Sequence, residues 1–293
     1  MGLIIYCAGA FVPEEEAKVS VFDHGFLYGD GIFEGIRAYH GRVFKLKEHL
    51  DRLYNSALSI KLNIGITKEE MQEVVLETLR RNDMEEGYIR LVVSRGKGDL
   101  GLDPANCPQS AIYCIAGKIK IYDDALYNKG LPVKSLATRR NSPDALDPRI
   151  KSLNYLNNIL AKLEANQAGV VEGIMLNQQG YVAEGTSDNI FIYRRGVLIT
   201  PPLYAGALEG ITRNTVMDLA RELGIEAREE LFTRYDLYAA EECFLTGTAA
   251  EVIPVISVDE RVIGAGVPGE IFKKILVAFR ELTKVDGPKI YNK

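Results

Sequence analysis

Arg149-Ile150-Lys151-Ser152-Leu153-Asn154-Tyr155-Leu156-Asn157-Asn158-Ile159-Leu160-Ala161 is the stretch on which the reading of this chain turns. Apolar residues at 153, 156, 159, 160 and 163 recur at helical spacing, which predicts a helix over 151–168 with one face packed inward. Lys151 stands just before that face begins. A lysine there has two readings: it snorkels to solvent at a helix start, or it is stripped of water and becomes a nucleophilic amine. The stretch alone does not choose between them.

Bulk properties narrow the field. With 293 residues the chain is longer than one comfortable core, so two domains are expected. A net charge of −5 without a cluster of Lys or Arg disfavours nucleic acid as a partner. Cys7, Cys107, Cys114 and Cys243 form no C-x-x-C pair, which argues against zinc or a disulfide framework and fits a reducing cytoplasm. The three histidines form no H-E-x-x-H, so no metal is expected. Residues 1–7 read as a strand rather than a signal peptide. No apolar run approaches the roughly 20 residues that span a bilayer.

Along residues 1–118, strands at 35–39 and 42–46 precede helices over about 47–60 and 68–82. The second helix opens on a Thr67/Glu70 capping box. Strands at 88–94 and 111–116 complete an α+β unit with an antiparallel sheet. Residues 119–131 read as an interdomain loop. A larger mixed α/β domain is expected over 132–293, with strands near 132–138, 172–177, 188–193 and 242–246. Its helices fall at 151–168, 211–223 and about 269–284. The loops at 96–108 and 200–210 are long enough to carry sites.

Four further segments can be read chemically. In Gly180-Tyr181-Val182-Ala183-Glu184-Gly185-Thr186-Ser187-Asp188-Asn189, Glu184 ends an apolar strand. It is either a solvated turn residue or a buried carboxylate that needs a partner. Gly210-Ile211-Thr212 opens a helix, where free N–H groups and a hydroxyl make an anion site. Gly247-Thr248-Ala249 is a small-residue turn whose amides can approach a ligand closely. Tyr28-Gly29-Asp30-Gly31-Ile32-Phe33-Glu34-Gly35-Ile36-Arg37 interleaves glycine with aromatic and charged residues, as a segment against a ligand or a second chain does. An amine, a buried carboxylate and two anion-ready amide clusters are what pyridoxal 5′-phosphate requires.

At these residues the chain resembles the class IV aminotransferases, the fold-type IV family of pyridoxal-phosphate enzymes. The similarity covers nearly the whole length and rests on K-S-L-N-Y, E-G-T-S-D-N-I-F, G-I-T-R and G-T-A-A-E-V in that order. Within the family it looks most like the branched-chain amino acid aminotransferases, on Tyr28–Arg37, Tyr88-Ile89-Arg90 and Gly98-Asp99-Leu100-Gly101. The resemblance implies that Lys151 bonds the cofactor aldehyde and carries the proton between the substrate α-carbon and the cofactor. It implies that Glu184 holds the ring nitrogen and Tyr155 the ring oxygen. Arg52, Ile211, Thr212 and Thr248 would then take the phosphate. Phe33, Tyr155, Gly35, Arg37, Tyr122 and Tyr28, the last from a neighbouring subunit, would form the side-chain pocket. Tyr88, Thr248 and Ala249 would take the α-carboxylate. Arg90, with Arg37, would accept the second carboxylate of 2-oxoglutarate. The implied partners are amino acids, 2-oxo acids and a second copy in a homodimer or larger homo-oligomer, with no membrane.

One segment departs from the branched-chain pattern. K-S-L-N-Y has a shorter lysine-to-tyrosine spacer, and its K-S-L-N is also typical of D-amino acid aminotransferases. Those carry a basic trap after a Ser/Thr-Arg-Gly turn, whereas Ser94-Arg95-Gly96 is followed here by Lys97-Gly98-Asp99-Leu100 and no histidine. The L-branched-chain reading is favoured accordingly. Aminodeoxychorismate lyase is a further alternative on the same fold.

Overall fold

A computed structural model describes residues 2–118 and 124–291. The chain divides into two compact units: Met1–Ile119 with Ile150–Asn154 and Leu282–Lys293, and Lys120–Arg149 with Tyr155–Glu281. This differs from a simple cut at 118 and 132. The Lys151 segment joins the first unit because it pairs there along a strand, with an antiparallel bridge between Ile32 and Ser152. The C-terminal stretch joins it because Ile290 is buried in that core.

In the first unit β1 (Ile4–Cys7), β2 (Ala10–Pro13), β3 (Gly31–Tyr39), β4 (Arg42–Val43), β5 (Gly87–Ser94) and β6 (Ala111–Gly117) form one antiparallel sheet, in the order β2-β1-β6-β5-β3-β4. α1 (His24–Tyr28) precedes β3, and α2 (Leu46–Ser59) and α3 (Lys68–Arg81) supply Leu46, Leu50, Leu53, Met71 and Leu79 to the core. The capping box at α3 is complete. Thr67 Oγ1 accepts from the Glu70 amide at 3.2 Å, and the Thr67 amide donates to the Glu70 carboxylate at 2.7 Å. The strand expected over 42–46 stops at Val43, because Lys45 turns left-handed (φ 51°) and caps α2.

The second unit contains α4 (Asp124–Lys129), β7 (Leu131–Ser135), α5 (Leu156–Gln167), β8 (Gly173–Leu176), β9 (Val182–Gly185) and β10 (Asn189–Arg194). β11 (Val197–Thr200), α6 (Ile211–Glu222), β12 (Glu226–Glu229), α7 (Arg234–Tyr238), β13 (Glu242–Gly247), β14 (Glu251–Val258), β15 (Arg261–Val262) and α8 (Glu270–Thr283) follow. Its mixed sheet runs β12-β11-β10-β13-β14-β7-β8-β9, with β15 on β14. The pairs β11–β12, β14–β7 and β7–β8 are parallel, and the rest are antiparallel. α4 occupies part of the stretch expected to be a connecting loop, and Tyr127 ties it to the unit by donating to the Ala250 carbonyl at 2.9 Å.

Two expectations for the Lys151 region are corrected. The helix begins at Leu156, not at 151, and residues 151–153 lie beside β3, bridged to it at Ser152 and hydrogen-bonded to it through the Lys151 carbonyl and the Leu153 amide. The apolar stripe also faces outward: Leu156, Ile159, Leu160 and Leu163 are 50–60% exposed, while Asn158, Ala161 and Ala165 are buried. Small residues against the sheet let the helix approach closely, and the period that located the stripe cannot say which side is covered.

Among the described residues no helix is long and apolar enough to cross a membrane, and no group of His, Cys, Asp and Glu can hold a metal. All four cysteines are free. Thr67→Ala should lower unfolding free energy by about 1 kcal/mol in denaturant titrations, the scale of a lost N-cap.

Candidate active site

The first unit builds its part of the site on the β3–β5 pair. Side chains alternate along a strand, so Phe33, Gly35 and Arg37 share a face. The register sets Gly35 opposite Arg90 and Arg37 opposite Tyr88, which puts all five on that face. The Arg90 guanidinium lies 4.6 Å from the Phe33 ring centroid and 5.6 Å from that of Tyr88. Lys151 Nζ lies 4.6 Å from the same Phe33 ring, and the side chain is half-buried. Its backbone is fixed on both sides: the Lys151 amide donates to Ser56 Oγ at 3.2 Å, and its carbonyl accepts from the Phe33 amide at 2.9 Å. Gly31 permits this approach, since a β-carbon there would stand 2.6 Å from Leu153 Cδ1. Gly35 makes room for Tyr88, whose hydroxyl lies 2.1 Å from where a β-carbon would be.

The opposite face of β3 carries Glu34, which is fully buried. Its carboxylate accepts from Arg52 Nε at 2.8 Å and Nη2 at 2.7 Å, and lies 2.8 Å from His49 Nδ1. Burial pushes the Glu34 carboxyl up, but the Arg52 charge and the hydrogen bonds from Arg52 and His49 outweigh it and hold it at about 2. Burial pushes the His49 imidazole below its ordinary 6.5, against the pull of Glu34 and with help from the charges of Arg52 and Lys151. The pair is therefore a neutral imidazole on a carboxylate. Arg52, expected to grip a phosphate, is oriented by a two-point ion pair that the sequence reading did not include. An acidic residue on the core-facing parity of a buried strand was the available signal.

Tyr28 lies apart from this face, at the end of α1, where its hydroxyl donates to the Leu100 carbonyl at 2.5 Å. Arg95 is taken up structurally: it donates to both Asp30 oxygens at 2.8 and 2.9 Å and to the carbonyls of Ile60 and Lys61. Tyr122 lies outside the described residues.

The second unit gathers Glu184, α6 and the β13–β14 turn around Asp188 and Asn189. Glu184 is 5% exposed. Its Oε1 accepts from Arg140 Nε at 2.7 Å, and its Oε2 accepts from Asn189 Nδ2 at 3.2 Å and the Leu208 amide at 2.9 Å. Asn189 Nδ2 also reaches the Leu208 carbonyl at 2.9 Å, which places the loop before α6. Gly210 caps α6 without a side-chain cap, and Ile211 and Thr212 follow with free first-turn amides. A β-carbon at Gly210 would sit 1.9 Å from Asn189 Oδ1. At the turn carrying Thr248 and Ala249, a β-carbon on Gly247 would sit 2.2 Å from Asp188 Oδ1. Glu172, fully buried, accepts from the Thr186 amide at 2.6 Å and steadies the 185–188 loop. Tyr155 is half-buried at the N-cap of α5. Neither Arg140 nor Glu172 was foreseen.

The second unit offers an uncapped helix start and a charge-compensated carboxylate, groups that suit the phosphate and the ring nitrogen of a phosphorylated pyridine aldehyde, and the first unit offers a lysine that suits the aldehyde. Residues 31–258 match the family model for amino-transferase class IV. The putative branched-chain-amino-acid aminotransferase of Methanocaldococcus jannaschii is 55% identical over 98% of this chain and 99% of its own length. The crystal structure of the Escherichia coli branched-chain amino acid aminotransferase superposes with a TM-score of 0.94 at 35% identity, covering 98% of this chain and 97% of that one. A branched-chain amino acid aminotransferase from T.th., solved with pyridoxamine 5′-phosphate, gives 0.93 at 38% identity, covering 98% and 96%. The same protein is also known complexed with N-(5′-phosphopyridoxyl)-L-glutamate. The chain belongs to the class IV aminotransferases, and its fold is that of the solved branched-chain enzymes.

Two outcomes test the first unit. Because His49 titrates below 6.5 when folded, the unfolded chain takes up a proton as pH falls through 6.5 that the native state refuses. Native stability should therefore fall as the pH is lowered from about 7.5 to about 5.5, and His49→Gln should flatten that fall in denaturant titrations. Gly35→Ala should cost about 1–3 kcal/mol through overpacking, with Tyr88→Ala in the same chain restoring most of it.

Proposed function

We propose that this chain is a branched-chain aminotransferase that moves the amino group of L-leucine, L-isoleucine or L-valine to 2-oxoglutarate, with pyridoxal 5′-phosphate as cofactor. The observation that carries the reading is the β3–β5 face, where the Lys151 amine stands over Phe33 beside Gly35, Arg37, Tyr88 and Arg90. That face offers an apolar wall with two guanidinium groups at its edge. It suits branched aliphatic side chains and also a second carboxylate. The names of the relatives and the glutamate adduct of the T.th. enzyme support the same substrates.

Pyridoxal 5′-phosphate, when bound, supplies the aldehyde and the electron sink for the α-carbon carbanion. Glu184 accepts the ring N–H, and Tyr155 donates to the ring oxygen. Arg52, Ile211, Thr212 and Thr248 hold the phosphate, the helix start contributing amides and dipole. Lys151 removes and returns the proton at the substrate α-carbon. Tyr88 and the amides of Thr248 and Ala249 bind the α-carboxylate, and Arg90 with Arg37 binds the distal carboxylate of 2-oxoglutarate. Gly35 keeps the side-chain pocket open, while Tyr28 of a second copy completes its rim. The donor departs as its 2-oxo acid before the acceptor binds, so the kinetics are ping-pong.

The full engagement of Arg95 in the fold favours L-amino acids over a reading with a D-specific basic trap. A homodimer or larger homo-oligomer is part of the proposal. It is supported by the uncovered leucine and isoleucine stripe of α5 and by an apolar groove of about 500 Å³ lined by Val19, Phe26, Val92, Ile115 and Leu153. Free cysteines in all four positions fit a cytoplasmic setting.

A screen of L- and D-amino acids against 2-oxoglutarate should give turnover with L-leucine, L-isoleucine and L-valine. Borohydride should fix the cofactor to Lys151, and Lys151→Ala should lower kcat by about 10²–10⁴-fold, the scale on which a proton-transfer group acts. Turnover of D-alanine in preference to L-valine would refute the substrate assignment.

A further inference from the structure

Arg140 lies outside every motif considered above, yet its side chain is 5% exposed and its guanidinium reaches two elements of the second unit, β9 and α5. Nε donates to Glu184 Oε1 at 2.7 Å, and Nη1 faces the side-chain oxygens of Asn157 and Asn158 at 3.1 and 3.3 Å. Its own amide donates to the Leu176 carbonyl at 2.9 Å, fixing the backbone to the end of β8. Asn158 in turn donates to the Thr186 carbonyl at 2.8 Å, in the loop that follows Glu184. Asn157 closes the circuit by donating to the Arg139 carbonyl at 2.8 Å and accepting from the Asn141 amide at 3.2 Å.

Glu184 is a buried acid whose partners here are all donors, with Arg140 as the charged one among them. A carboxylate offers about four acceptor positions. Three are filled, which leaves one for a further N–H. The same guanidinium also sets the first turn of α5, whose N-cap is Tyr155. The groups assigned to the ring nitrogen and to the ring oxygen are thereby fixed relative to each other by one side chain.

We infer that Arg140 is a positioning residue of this aminotransferase, orienting the Glu184 carboxyl group so that one acceptor position stays free and fixing Tyr155 relative to it. This rests on the assignment of Glu184 to the ring nitrogen. Arg140 does not touch the reacting atoms.

The test uses the full-length chain stripped of cofactor and titrated with pyridoxal 5′-phosphate. It compares wild type, Arg140→Met, Arg140→Lys and Glu184→Gln by cofactor Kd and by the visible absorption band of the bound cofactor at fixed pH. Arg140→Met should raise Kd by about tenfold or more, the scale on which partners of a ligand-holding group act. It should also shift the band in the same direction as Glu184→Gln. Arg140→Lys should return the band to its wild-type position, because the charge is kept, while Kd stays raised because the fork is lost. A folded Arg140→Met protein with wild-type Kd and band, beside an altered Glu184→Gln, would overturn the inference and leave the ring-nitrogen assignment standing. An unaltered Glu184→Gln would remove both. Should Arg140→Met fail to fold, Arg140→Lys decides alone: a raised Kd upholds the inference and a wild-type Kd overturns it.

Discussion

The first unit is organised by the two-sidedness of β3. Its nine residues are buried on both faces except at Arg37, so neither face is spare. Ile32, Ile36 and Ala38 enter the core beneath α2 together with Glu34, while Phe33, Gly35 and Arg37 form the wall against which Lys151 stands. Slipping the strand by one residue would exchange these sets, sending a carboxylate to the wall and an arginine to the core. The register with β5 from Gly31 to Ala38 forbids this, and the ion pair of Glu34 with Arg52 penalises it. Stability and chemistry thus share one backbone constraint.

The second unit solves the corresponding problem at Glu184 by different means. A buried carboxylate at the end of β9 is tolerable only with donors on hand, and they come from a loop arginine, a strand asparagine and a backbone amide. Asn189 serves twice, since it also places the loop that leads into α6. The glycines at 210 and 247 are required by the same crowding, for any β-carbon there would strike Asn189 or Asp188. What looks in sequence like a set of small-residue turns is a cluster packed around two adjacent polar side chains.

Much of this was legible. The capping box at Thr67 and Glu70, the helix opening at Ile211 and the strand ending at Glu184 follow from local chemistry that tertiary contacts do not override. The Lys151 segment misled because the periodic residues after Tyr155 were extended backward into a stretch that pairs with β3. Pairing partners distant in sequence leave no local trace. The α5 stripe was located correctly by period and assigned to the wrong side. Arg140, Glu172 and His49 had no motif to announce them, and Glu34, though inside the Tyr28–Arg37 segment, gave only the parity of an acidic residue on a buried strand. Each is found by asking where the counter-charge or donor of a buried polar group comes from, a question that needs the fold first.

The two sides of α5 answer to different masters. Toward the sheet, Ala161 and Ala165 set the spacing between layers, so any larger residue would have to displace a strand. Toward the outside, Leu156, Ile159, Leu160 and Leu163 are limited only by whatever lies against them. Divergence among related chains should accordingly be uneven around this helix. Its inner positions would stay small everywhere, while its outer positions would be free to change shape and size.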